Sequence, residues 1–221
     1  MCGRFQIPAP DDSAEELNAV LEEMRRRQQR RQPDFQPKRG ELRPGDTAAV
    51  IAPDRSRRRA VFAMRWGFLL PRPEPPRQGV QLRMEELLPE PPQEVAGRRV
   101  FNARSESAAR KPLFAESLRE RRCVIPAQAY FEWDHRRQPM EKYRFYLPQD
   151  RVLWMLGLYR LREGQAEFTI LTREAAEGVA DFHDRMPLIA PGELVEAWLQ
   201  PDVPPGEIYA RALTDLRWER A

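Results

Sequence analysis

Apolar side chains at Leu17, Val20, Leu21 and Met24 recur at the three- and four-residue spacing of a single helix face. Ser13-Ala14-Glu15-Glu16 ahead of them reads as a capping box. The basic run Arg25-Arg26-Arg27 with Arg30-Arg31 closes the helix where cations suit its dipole. After linker-like turns at Pro33–Gly40 and Pro44-Gly45-Asp46, the period shortens to that of strands. Thr47–Ala52 and Ala60–Trp66 read as half-buried strands, and Arg98–Asn102 as another. A helix is predicted from near Ser105 to about Leu118, divided by Pro112. From Cys123 onward β segments crowd together: Cys123–Ile125, Tyr130–Trp133, Tyr143–Leu147, Val152–Leu161 and Glu167–Thr172. Many short strands separated by turn signals predict a closed or nearly closed antiparallel sheet. Arg173–Phe182 and Glu193–Leu199 read as helices on its outside, and Glu207–Arg217 as a further strand. Residues 71–97 hold seven prolines and few aromatics, the pattern of an irregular surface insertion. The expected fold is α+β: one domain over 1–221, with a barrel-like antiparallel β core, peripheral helices and the 71–97 insertion.

Composition narrows the function. With 221 residues, 41% of them hydrophobic, the chain can bury a real core. No apolar run approaches a membrane span and no charged-then-apolar leader is present, so a cytoplasmic protein without membrane contact is expected. Two cysteines argue against a disulfide framework, and Cys2, Cys123, His135 and His183 lack metal-ligand spacing. All but three of the 37 basic residues are arginine, the side chain suited to bidentate phosphate recognition. A G+C-rich genome produces the same bias, so the charge permits nucleic acid without demanding it.

The candidate chemistry begins at Met1-Cys2-Gly3-Arg4-Phe5. A small residue at position 2 predicts removal of Met1, giving Cys2 a free α-amine beside its thiol. An α-amine with a reference pKa of about 7.7–8.0 is partly unprotonated near neutrality. It can attack an aldehyde to form a Schiff base, on which the neighbouring thiol closes a five-membered ring. Nearby positive charge such as Arg4 would favour the thiolate.

Three further stretches hold polar residues in apolar surroundings. Asn102-Ala103-Arg104-Ser105-Glu106 leaves a strand for a helix, where backbone N–H groups and Arg104 suit a phosphate; equally, Ser105 could simply cap the helix. In Tyr130-Phe131-Glu132-Trp133 a carboxyl lies among aromatic rings, which would raise its pKa toward neutrality; on an alternating edge strand it would face water instead. His183 in His183-Asp184-Arg185-Met186-Pro187 is the histidine in an apolar setting, whereas His135 belongs to a polar hairpin.

Singly these signals are unspecific; together they resemble one family. M-C-G-R-F at 1–5, R-W-G-F at 65–68, N-A-R-S-E at 102–106, C-V-I-P-A-x-x-Y-F-E-W at 123–133 and H-D-R-M-P at 183–187 resemble the SRAP family, the SOS-response-associated peptidases, in order and spacing. The resemblance implies a barrel-like α+β domain that binds single-stranded DNA at abasic sites. It implies capture of the ring-opened deoxyribose aldehyde as a thiazolidine on mature Cys2, shielding the lesion. On these motifs Asn102 would position the cysteine and the opened sugar. Glu132 would manage protons at the amine and sugar, and His183 would assist ring opening. Arg4 and Arg104 would hold flanking phosphates. Phe5 and Trp66 supply ring types for base stacking, although Trp66 suits a core equally well. The expected protein is a monomer with no cofactor or metal, associated with the nucleoid when crosslinked, and self-removal of Met1 and lyase-type reversal are further implied activities.

The chain departs from the family pattern at residues 40–46, at Ala129, in the proline-rich insertion and around Glu207–Arg217. The rival reading is a thiol peptidase with Cys2 as nucleophile, His183 as base and Asn102 or Glu132 orienting it, acting on peptides or only on its own Met1. A nucleic-acid-binding module without chemistry is the third.

Overall fold

The computed structural model describes residues 2–9, 14–70, 97–148 and 152–221. The bulk of the expected insertion, and the Ser13 of the expected capping box, lie outside the described residues. Strand β1 (Arg4–Ile7) leads to helix α1 (Glu15–Gln29), then β2 (Gly40–Leu42), β3 (Thr47–Pro53), β4 (Arg59–Trp66) and β5 (Phe68–Leu70). After 71–96 come β6 (Arg98–Val100), β7 (Asn102–Arg104), α2 (Ser105–Ala108) and α3 (Pro112–Glu120). The β-rich half holds β8 (Arg122–Ala127), β9 (Ala129–Asp134), β10 (Glu141–Tyr146), β11 (Leu153–Arg162) and β12 (Gln165–Glu174). It ends with β13 (Arg185–Pro187), β14 (Ile189–Ala190), α4 (Val195–Leu199), α5 (Pro205–Tyr209) and β15 (Arg217–Arg220).

The core is a closed ring of five strands. β4 pairs β3, β3 pairs β8, β8 pairs β11 and β11 pairs β12, all antiparallel; β12 then closes onto β4 in parallel. Closure removes the exposed edges that an open sheet must protect. β8 is paired on both sides and all six of its residues are buried, which explains its unbroken apolar run Cys123-Val124-Ile125. Packing against it leaves no room at Gly157: a Cβ there would sit 2.5 Å from Ile125 Cδ1 and 2.8 Å from Thr169 O.

A second, five-stranded sheet of order β15-β10-β9-β1-β2 lies against this ring. The two share one core, in which Phe5 of β1 packs 4.9 Å from Trp66 of β4, and Trp66 stacks on Phe168 of β12. Full burial of such side chains stabilises the fold by about 1.5–3 kcal/mol each. Helix α1 buries the four expected residues, Leu17, Val20, Leu21 and Met24, against β4 and β3.

Several arginines are structural. Arg122 donates to the carbonyls of Leu118, Gln200 and Val203 and lies over the Trp198 ring, tying α3 and α4 to the base of β8. Arg160 donates to buried Glu167, satisfying a carboxylate that would otherwise be costly to bury.

Three expected elements differ. Pro112 does divide the helix after Asn102, into α2 and α3, but Arg173–Phe182 is the end of β12 followed by consecutive turns. Glu207–Arg217 is not a strand: the Pro204-Pro205 pair starts the short helix α5, and the strand begins only at Arg217. Arg98–Asn102 separates into β6, paired with β5, and β7, paired with β12.

Candidate active site

β12 organises one half of the site. Its residues 170–172 pair in parallel with β7, placing Asn102 opposite Ile170 on one edge. Its residues 172–174 pair with β13 on the other edge, two residues beyond His183. β9 and β1 supply the second half. In their antiparallel register Arg4 faces Phe131, so Cys2, just ahead of β1, lies beyond that pair toward the Glu132 end of β9.

The two halves meet at Cys2. Asn102 Nδ2 donates to the Cys2 carbonyl at 2.9 Å, joining residues 100 positions apart in the chain. Cys2 is fully buried, and its Sγ points a weak thiol donor at the Arg4 carbonyl 3.6 Å away. Burial, and secondarily the charge of Glu132, push the thiol well above its ordinary value. The Cys2 side chain is therefore a neutral thiol at pH 7.

Glu132 is 3% exposed. Phe131 before it is buried and Trp133 after it is partly buried, so the strand does not turn Glu132 to water. Removal from solvent raises its pKa from 4.5 to about 7. The charge of Asp184 is a smaller contribution in the same direction. A carboxyl titrating near neutrality is suited to taking and returning a proton.

His183 follows a run of turns and does not close a helix. Its Nδ1 accepts the Arg185 backbone N–H at 2.9 Å, which favours the tautomer with the proton on Nε2. Nδ1 also lies 2.7 Å from Asp184 Oδ1. Burial lowers the imidazole pKa below 6.5, and the ring is neutral at pH 7.

Arg4 and Arg104 flank this cluster differently. Arg4 pairs with Glu41 at 3.2 Å, so it does not act on the thiol as its sequence position suggested. Arg104 is exposed at the start of α2, where no side chain caps the helix, Ser105 included. Phe5 and Trp66 lie elsewhere in function: both are fully buried, and Trp66 Nε1 donates to the Phe101 carbonyl. As core aromatics they present no ring to a base.

Two residues inside the quoted motifs were passed over. Arg185 is buried, grips Glu106 through two 2.8 Å bonds, and donates to the Thr172 carbonyl at 2.7 Å. It thereby ties the segment after His183 to the segment after Asn102. Tyr130 is fully buried, and that burial, with the charge of Glu132 adding to it, raises its pKa. An arginine and a carboxylate in two separate motifs were the available signal for the first; nothing in the sequence distinguished Tyr130 from a core aromatic.

Comparisons with known proteins agree on one family. The sequence matches the family model described as SOS response associated peptidase over residues 1–218. It is 29% identical over 208 residues to the abasic site processing protein YobE of Bacillus subtilis, covering 91% of this chain and 83% of that one. It is 30% identical to the B. subtilis protein YoqW, covering 91% and 81%. It is 28% identical to the abasic site processing protein HMCES of Rattus norvegicus, covering 90% of this chain and 64% of that one. A crystal structure of a Bordetella bronchiseptica protein shares the fold with a TM-score of 0.66 at 22% identity, over 100% of this chain and 99% of that one. The chain is a member of the SOS response associated peptidase (SRAP) family.

Proposed function

We propose that this protein binds single-stranded DNA at abasic sites and captures the ring-opened deoxyribose aldehyde as a thiazolidine on Cys2. The observation that carries the reading is the hydrogen bond from Asn102 Nδ2 to the Cys2 carbonyl. It fixes the backbone of the residue whose amine and thiol must both reach one carbon. The abasic-site names of the YobE, YoqW and HMCES relatives support the substrate.

The step requires Met1 to be gone, because an amide nitrogen is not nucleophilic. The free Cys2 amine attacks the aldehyde carbon, and the carbinolamine loses one water to give an imine. The thiol sulfur then adds to the imine carbon while its proton passes to nitrogen. A buried thiol held neutral needs a base at that moment, and Glu132, with a pKa of about 7, is half ionised at neutral pH. His183, neutral with its proton on Nε2, donates toward the sugar ring oxygen as the ring opens. Arg4 and Arg104 hold phosphates on either side.

Incubating the processed protein with abasic single-stranded DNA and running a denaturing gel tests the reading. A covalent band lost in Cys2→Ala supports it. Peptide hydrolysis without a band supports the thiol peptidase instead, and salt-sensitive retention without a band supports a binding module.

A further inference from the structure

The basic run at the end of α1 plays no part in the chemistry above. It lines a separate open groove of about 930 Å³ between α1, the Gly45 turn, β4 and the β11–β12 hairpin. None of Cys2, Asn102, Glu132 or His183 lines it. Arg27, Arg30 and Arg31 rise from the helix side and Arg65 from β4. Among the described residues Arg27, Arg30 and Arg31 pair with no carboxylate, whereas neighbouring Arg25 is held by Glu22. The acid lining the groove, Asp46, is engaged by Lys38 at 2.6 Å. Apolar surface lies open beside them: Phe62 is half-buried with the Arg27 guanidinium 4.9 Å above its ring, and Leu161 is 69% exposed.

Charge and rings together discriminate between ligands. The C-terminus of α1 contributes roughly half a negative charge, which repels anions. Arg27, Arg30 and Arg31 outweigh it several-fold. A simple anion would use the guanidinia and ignore Phe62 and Leu161. A single nucleic-acid strand uses both, with phosphates on arginine and bases on exposed apolar and aromatic surface. We propose that this groove is a second DNA-binding track, which holds undamaged single strand flanking the lesion. The proposal rests on DNA being the protein's substrate.

The test compares two triple variants of equal charge change. Arg27→Gln, Arg30→Gln and Arg31→Gln empty the groove; Arg55→Gln, Arg57→Gln and Arg58→Gln remove three exposed arginines from the β3–β4 turn. Binding of an undamaged single strand of about 30 nucleotides is measured against salt, beside crosslinking of an abasic strand of about 5 nucleotides, near the smallest single-strand site sizes. Losing three phosphate contacts makes the log–log salt slope shallower by about 2, or roughly 100-fold weaker binding at 0.1 M salt. The groove variant is expected to show that loss on the long strand while crosslinking the short one normally, and the turn variant is expected to bind like wild type. Equal losses in both triples, or a groove variant that crosslinks the short strand poorly, overturn the proposal. So does displacement of the long strand by polyglutamate as readily as by competing DNA, which assigns the groove to an acidic partner. Because the salt series uses undamaged DNA, failure of abasic crosslinking would sink the proposed function without deciding the groove.

Discussion

Glu132→Gln separates the stability of this fold from its chemistry. In the folded protein the Glu132 carboxyl titrates at about 7, against 4.5 when solvated. The raised value means that the acid form is the one the fold accommodates. Below pH 4.5 the group is protonated in both states and does not penalise folding. As pH rises the unfolded chain ionises first, so stability falls until the folded pKa is passed. The interval from 4.5 to about 7 corresponds to about 3 kcal/mol lost from the wild type. Glutamine matches the acid in shape and cannot ionise, so the variant is spared that loss. Urea unfolding of both proteins across this range, with the difference taken at each pH, cancels every other titrating group. The variant is expected to gain about 3 kcal/mol on the wild type between about pH 4.5 and pH 8, a urea midpoint shift of roughly 1 M or more. Abasic crosslinking should fall by about 10²–10⁴-fold, the usual contribution of a positioned acid–base group. A stability difference that stays flat with pH would refute the claim that this carboxyl is held neutral by burial.

Three further outcomes are expected. Asn102→Ala removes the bond to the Cys2 carbonyl and should slow crosslinking about tenfold or more in single-turnover gels, with DNA retention little changed. Arg185→Met leaves the Thr172 carbonyl and Glu106 without their donor and should cost about 2 kcal/mol in urea unfolding, with slower crosslinking as the His183 segment loosens. Gly157→Ala forces a Cβ onto Ile125 and the Thr169 carbonyl, so thermal melting should report about 1–3 kcal/mol of destabilisation without a change in DNA affinity.

How much of the site was legible follows from what a motif can carry. Cys2, Asn102, Glu132 and His183 stand out because polar atoms among apolar neighbours require a reason. Arg185 lay in plain view between Asp184 and Met186, yet its partner is Glu106, in another motif. No local pattern links them. Arg173–Phe182 misled because Ala175, Val179 and Phe182 imitate helical spacing, while Gly178, at φ +84°, belongs to a chain of turns. Around Glu207 the helix start was written in Pro204-Pro205, proline being favoured at the first helical position.

What the amino-acid sequence determined by itself is the local alphabet of this protein. The face of α1 and the strands of the ring are dictated by side-chain period, because burial on one side leaves a mark every second or every third to fourth residue. Pairing leaves no such mark. Nothing in β12 announces that it meets β4 and β7 in parallel on one edge and β11 and β13 on the other. Those contacts carry Asn102 and His183 to the two sides of one strand. The fate of Glu132 was likewise open: an alternating strand could have turned it to water, and only the closing of both sheets around it withdrew the solvent. Fully buried Phe5 and Trp66 and the neutral thiol of Cys2 have the same origin, since burial is a property of the whole assembly and not of any residue within it.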